Sequence, residues 1–244
     1  MKWLIRTAST LYLCLLAQGA SAETFEVGFY DYPPMMIEDG RRGIYQDIFD
    51  ELAKLTGDSF EVQYYPYPRI GLLFSEGQLD IEPGVYPGWM QSQPVPGLFS
   101  VPFGKVVDVL VFAPHRAFPV KQPEDLRGKS VGMVRGYAYP ELLPLITSGQ
   151  LDRRNALNEQ QLLDMLARSR FDQVIANKAV VQYNLLHVAE YRRLEIGDVI
   201  SAYDVSMRVQ PKHAEWLDKL DAAIIQLKQQ GTIEKIYARY GVHL

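Results

Sequence analysis

Short runs that alternate apolar and polar residues recur along this chain, and stretches with a helical stripe separate them. FEVGFY (25–30) is the first such run. IYQDIFDELAKLTG follows, with Ile44, Ile48, Leu52 and Leu55 on one helical face and Gly57 as the stop. FEVQYY (60–65) reads as a strand, RIGLLFSEG (69–77) as a short helix, and QLDIE as another short strand. VVDVLVF (106–112) is the most strand-like run, and SVGMV (130–134) and DQVIA (172–176) are further strands. Asn158, with Gln161 three residues on, reads as a helix start, and Leu162, Met165 and Leu166 supply that helix's buried stripe. Trp216, Leu220, Ala223, Ile224 and Leu227 line a long helix that Gly231 closes. Alternating β and α segments leave few architectures. An α/β fold with mostly parallel sheets is expected, with ligands at the carboxyl ends of strands.

EPGVYPGWM (82–90) interrupts this pattern. Two prolines and two glycines make a poor helix and argue against a central strand. A shaped loop carrying Tyr86 and Trp89 is expected there, with Glu82 at its mouth.

The first residues bear on where such a chain folds. Lys2 and Arg6 precede a mostly apolar stretch, Thr7 to Ala17, that is too short to span a bilayer. Ala20-Ser21-Ala22 fits a small-residue cleavage pattern, so a signal peptide over 1–22, cut after Ala22, is expected, with export to the periplasm. A membrane anchor is the less favoured reading. So is a lipoprotein, because Leu13 precedes Cys14 where a lipidation site wants Gly or Ala. Cys14 is the only cysteine, so the remaining 222 of 244 residues must hold together without disulfides. Losing Lys2 and Arg6 moves the net charge from −4 to −6. An acidic chain without a long basic run argues against a nucleic-acid partner.

Five stretches resemble, in order, the family 3 bacterial extracellular solute-binding proteins. YPPMM (32–36) resembles the family's Tyr-Pro-Pro-hydrophobic motif, and GIYQDIFDELAKLTG (43–57) its Gly-x-x-x-Asp helix. EGQLDI (76–81) resembles its Gly-x-x-Asp segment, and EDLRGKSVGMVRGYAY (124–139) the start of its second lobe. LDKLDAAIIQLKQQGTIEKIYARYG (217–241) resembles its C-terminal signature. The resemblance implies two α/β lobes joined by two crossing strands, the type II periplasmic-binding-protein fold, with the ligand cleft between lobes. Lobe one is then 23–112 plus 205–244, and lobe two 113–204. VVDVLVF and YDVSMRV (203–209) are the crossing strands. The implied role is capture of a small solute, amino-acid-like or a carboxylate, by lobe closure. The implied partner is a membrane ABC permease that senses closure transiently, and the chain acts as a monomer without cofactor or metal.

The resemblance also nominates ligand-binding residues. Tyr32 matches a cleft tyrosine. Tyr86 and Trp89 fall where lobe one lines the cleft, and either stack on the ligand or pack the hinge. Glu82 replaces an apolar residue, and either points into the cleft or pairs with a lobe-one arginine. In lobe two, Gly136 and Tyr137 fall at the turn that contacts the ligand carboxylate, where a helix start is expected. Arg135 beside them offers a bidentate fork, or is a solvated strand end. Arg69 matches an arginine present in a subset of the family, or is a helix-surface charge. Asn177 stands where amino-acid binders carry the aspartate that holds the ammonium, and is also a good helix N-cap. The Thr-x-x-Arg-like carboxylate clamp is missing, since that stretch reads GVYPGWMQSQ (84–93). Ordinary α-amino acids are therefore not expected to be the best ligands; the site is expected to be aromatic, partly basic and uncharged at the ammonium position, which suits a carboxylate without an amine or a ring-bearing neutral solute.

No catalytic constellation is apparent. The four histidines, His115, His187, His213 and His243, lack metal-ligand spacing, and there is no nucleophile elbow or phosphate-cradling glycine loop. Two alternatives use the same fold. An exported enzyme of the cyclohexadienyl dehydratase kind places an acid group in the cleft, and Glu82 keeps that open. A sensory protein hands its ligand-bound form to a membrane receptor.

Overall fold

The computed structural model describes residues 22–243. The leader expected over 1–22, Cys14 included, lies outside them except for Ala22, which is exposed.

The β and α segments emerge as nine strands and seven α-helices among the described residues. β1 (Thr24–Phe29), α1 (Ile44–Thr56), β2 (Ser59–Tyr64), α2 (Tyr67–Ser75) and β3 (Ile81–Val85) open the chain. β4 (Leu98–Phe99) and β5 (Gly104–Phe112) follow. Next come β6 (Ser130–Val134), α3 (Leu143–Thr147), β7 (Asp152–Ala156), α4 (Glu159–Ala167), β8 (Gln173–Asn177) and α5 (Lys178–His187). β9 (Glu195–Val209), α6 (Leu217–Gln229) and α7 (Thr232–Arg239) end it.

The strands run in the order β2-β1-β3-β9-β5-β8-β6-β7, with β4 against β9. At one end β1 pairs in parallel with β2 and β3, and at the other β6 pairs in parallel with β7 and β8. The middle is antiparallel, because β5 and β9 run past each other from Gly104 opposite Val205 to Phe112 opposite Glu195. The last residues of β9 continue on to pair with β3. The same two strands therefore belong to both ends of the sheet.

Each end has its own core. Phe25, Val27, Ile44, Ile48 and Leu52 pack with Leu220, Ile224 and Leu227 of α6 in the first. The α1 stripe and the α6 stripe read from the sequence meet there, except that Leu55, in the last turn of α1, is exposed. In the second, successive residues of β5 face opposite sides of the sheet. Val109 and Val111 pack with Leu162, Leu166 and Tyr191, while Leu110 and Phe112 pack with Leu126, Leu142 and Leu145. A strand covered on both faces reads as an unbroken apolar run. That is why 106–112 stood out.

Three expectations differ from the structure. EPGVYPGWM is not loop throughout: Glu82–Val85 belong to β3, between β1 and β9. Pro83 is tolerated because β1 pairs with β3 only at Ile81, so Pro83 faces a neighbour on one side alone. Gly84, at φ +78°, lets the register shift between Pro83 and Val85, and a Cβ there would meet the Tyr45 hydroxyl at 2.7 Å. The second difference follows Gly136. No helix begins there; Pro140–Leu142 form a single 3₁₀ turn and α3 starts only at Leu143. The third is Trp216, which precedes α6 and donates its indole N–H to Asp58 at 2.8 Å. Among the described residues no helix is long and apolar enough to cross a membrane.

Candidate functional site

A cavity of about 80 Å³ opens between the two cores, against the crossing strands. Its aromatic wall is built first by local structure. Tyr30 follows the last residue of β1, so its ring leaves the sheet at the strand's carboxyl end. Tyr32 sits in a tight loop, donating its N–H to Met36 O at 2.8 Å and accepting from the N–H groups of Met35 and Met36. The Tyr30 ring lies 5.3 Å from that of Tyr32 and 5.0 Å from that of Tyr67, the first residue of α2. From the other lobe, Tyr137 brings its ring edge-on to Tyr67 at 4.9 Å and donates its hydroxyl to that of Tyr30 at 3.1 Å. Gly136, at φ +88°, makes the left-handed turn that brings Tyr137 across to Tyr67. The lobes thus touch through hydroxyls and rings.

Trp89 closes another side. A 3₁₀ turn, Pro87–Met90, carries it. Its ring is edge-on to Tyr203 at 5.5 Å, and its indole N–H is buried without a partner. Tyr86 does not line the cavity; it stacks on Tyr203 at 4.4 Å behind Trp89. The Tyr203 hydroxyl is held by Glu141.

Three carboxyl groups lie at or near this cavity, and each has a different environment. Glu82 lines it and pairs with Arg208 at 2.8 Å, where the guanidinium is 1% exposed and the carboxylate 5%. Burial pushes Glu82 up, and the guanidinium pulls it back part of the way. The remaining Arg208 donors reach Pro96 O at 2.9 Å and Val95 O, and the guanidinium stacks 3.9 Å from the centre of the Phe74 ring. Of the two readings of Glu82, the structure realises both: it faces the cleft, and a lobe-one arginine neutralises it. Asp108 interrupts the apolar run of β5 and also lines the cavity. It accepts a hydrogen bond from Ser201 at 3.1 Å, and burial pushes it up to about 6. Glu159, the first residue of α4, is 5% exposed; one of its oxygens accepts from the Asn177 N–H at 3.2 Å and the other has no partner. Burial, followed by the charge of Asp108, raises its pKa strongly.

The nominated residues divide accordingly. Tyr32, Trp89, Gly136 and Tyr137 line the cavity. Arg69 and Arg135 are exposed and do not, so the wall is not basic; Arg69 lies 5.9 Å from the centre of the Tyr65 ring. Asn177 is 1% exposed, and its side chain accepts from the N–H groups of Ala179 and Val180, which caps α5. Tyr30, Tyr67, Gln93 and Asp108 line the cavity without having been nominated. A lone acid inside VVDVLVF was the one signal that could have pointed to Asp108. Among the described residues no group of His, Cys, Asp and Glu is arranged to hold a metal ion.

No protein-family profile and no curated protein matches the chain. Solved structures do. An ancestral arginine-binding protein bound to arginine is 22% identical over 89% of this chain and 97% of its own, with a TM-score of 0.75. A histidine kinase sensor domain with similarity to periplasmic binding proteins is 20% identical over 90% and 96%, with a TM-score of 0.76. A putative L-cystine ABC transporter from Listeria monocytogenes is 19% identical over 90% and 96%, with a TM-score of 0.73. The chain therefore has the two-lobed fold of periplasmic binding proteins, with its cleft between the lobes and two strands crossing beneath it.

Proposed function

We propose that this chain is a periplasmic solute-binding protein that closes its lobes on a small molecule and presents the closed form to a membrane ABC permease. The observation that carries this reading is the cavity itself. Both lobes wall it, Tyr30, Tyr32, Tyr67 and Trp89 from one and Gly136 and Tyr137 from the other, so a molecule held there bonds the lobes together. Bending at β5 and β9 would open it. We place the start of lobe two, expected over 113–204, near Val107, since Val107 and Val109 to Phe112 pack with the second lobe's cores, which leaves 23–106 plus 205–243 as lobe one. The exported protein begins at Glu23 and acts as a monomer.

The test is a thermal-shift screen of residues 23–244 against a broad metabolite panel. A ligand at a hundred times its dissociation constant adds about 2.7 kcal/mol. Intact-mass analysis of protein exported from a bacterial host checks the Glu23 start, and a retained leader or a lipid on Cys14 overturns it.

A second reading has its own support. Asp108, with a pKa of about 6 in a cleft, is suited to proton transfer near neutral pH. An enzyme would change a bound ligand, and mass spectrometry of the ligand after incubation separates the two readings.

A further inference from the structure

The cavity's charges are one-sided. Among the described residues its ionisable lining is Glu82, Asp108 and the tyrosines Tyr30, Tyr32, Tyr67 and Tyr137, and the one cation nearby, Arg208, lines only the adjoining space beyond Tyr67, Glu82 and Gly136. Arg208 already neutralises Glu82. Among the described residues Asp108 has no ion-pair partner, and Ser201 is the only side chain that donates to its carboxylate. Across the sheet, Asp108 stands directly opposite Asn177, and the Asn177 N–H is bound by Glu159. Glu159 is buried with one oxygen unpartnered. Asn177 alone reads as an uncharged site. The neighbouring strand and helix surround it with two carboxyl groups that no cation among the described residues pairs with.

A largely desolvated acid that no cation neutralises is costly to the fold, and the single Ser201 hydrogen bond at Asp108 offsets only part of that cost. A bound cation would relieve that cost at Asp108 and, through the field, at Glu159. The surrounding rings favour the same sign, because aromatic faces attract cations. A free carboxylate would meet like charge from Asp108, and the exposed Arg69 and Arg135 are not in the wall to offset it.

We propose that the ligand is an organic cation, an amine or a quaternary ammonium without a carboxylate, whose charged head is held against Asp108 within the tyrosine wall. This rests on the solute-binding reading and names the ligand class of that site. The unpartnered Trp89 N–H adds a second requirement, an oxygen acceptor on the same ligand. An alcohol or phenol attached to the cationic head meets both.

Calorimetry on ligand-stripped protein, residues 23–244, tests this with charge-reversed pairs. Choline is set against glycolate and serine, and tyramine against 4-hydroxyphenylacetate and tyrosine. At least one cation is expected to bind tenfold or more tightly than its acid and amino-acid counterparts, and a preference for choline or for tyramine tells quaternary from primary amine. Asp108→Asn is expected to weaken that binding at least tenfold without lowering the melting temperature, which shows that the loss is not misfolding. Tighter binding of either acid or either amino acid, or unchanged cation affinity in Asp108→Asn, overturns the proposal and leaves solute capture standing. Absence of binding by both cations also overturns it. The broad thermal-shift panel then judges solute capture separately.

Discussion

Asp108 is held in the cavity wall at a cost to the fold. Its carboxyl titrates near 6 in the folded chain against an ordinary 3.8, because burial disfavours the charge. Between those values the folded state binds more protons than the unfolded one, so stability falls as pH rises through this window and stays lower above it. Asp108→Asn keeps an acceptor for Ser201 and removes the charge. It is expected to stabilise the protein by up to about 3 kcal/mol at neutral pH and to have little effect near pH 3.5. Melting temperatures at the two pH values check this, and a variant destabilised at neutral pH refutes it. Glu82 is the opposite case, since its charge is matched by Arg208. Arg208→Met strands the carboxylate and is expected to cost about 3–5 kcal/mol by chemical denaturation. Adding Glu82→Gln to that variant is expected to recover part of the loss, and no recovery would mean that the pair is not what Arg208 supports.

Among the elements, those covered on one face or both were legible in the sequence, and those with other determinants were not. α1 declares itself through Ile44, Ile48 and Leu52 because the first core needs that stripe. β7 reads DRRNA, with only Ala156 buried, and has no pattern to find. α5 follows β8 with no intervening turn residue, so a break between them had no marker except Asn177. Its cap role is therefore informative. Asn177→Ala is expected to cost about 1 kcal/mol by unfolding the start of α5, with ligand affinity changed little. A large affinity loss in a stable variant would place Asn177 in the binding wall after all. The 87–90 turn was legible through its prolines and glycines, and its Trp89 reaches the cavity. Trp89→Ala is expected to weaken ligand binding by about 1–3 kcal/mol and to abolish the ligand-induced change in tryptophan fluorescence. Trp216, the other tryptophan after residue 22, is buried and tied to Asp58, so it reports on the core instead.

At the scale of the molecule the lobes are drawn together around the cavity. The Tyr137 hydroxyl meets that of Tyr30, and Val180 of α5 packs into the core of the first lobe. Such contacts bias an open–closed equilibrium by their own free energy and no more. Tyr137→Phe removes one hydrogen bond of about 0.5–1.5 kcal/mol, which lowers the closed-to-open ratio about two- to tenfold. Small-angle scattering of the ligand-free protein is expected to show a larger radius of gyration for the variant at equal stability. Identical scattering curves would mean that the hydroxyl contact does not hold the lobes.

Residue order alone carries the α/β alternation, the apolar run of β5 and most core faces, because burial imposes a period on it, while the crossing of β5 between lobes was implied only by the family resemblance. The resemblance nominated Tyr32, Tyr86, Trp89 and Tyr137 together, and only the folded chain shows that Tyr32, Trp89 and Tyr137 line the cavity while Tyr86 does not. The sequence did not reveal that Asp108 stands beside Asn177, or that Arg208 reaches Glu82 from 126 residues away. Nor did it show that Arg69 and Arg135 face solvent. Those facts decide the sign of the cavity. They depend on which strands lie side by side and on which residues burial strips of water, and neither has a period along the chain.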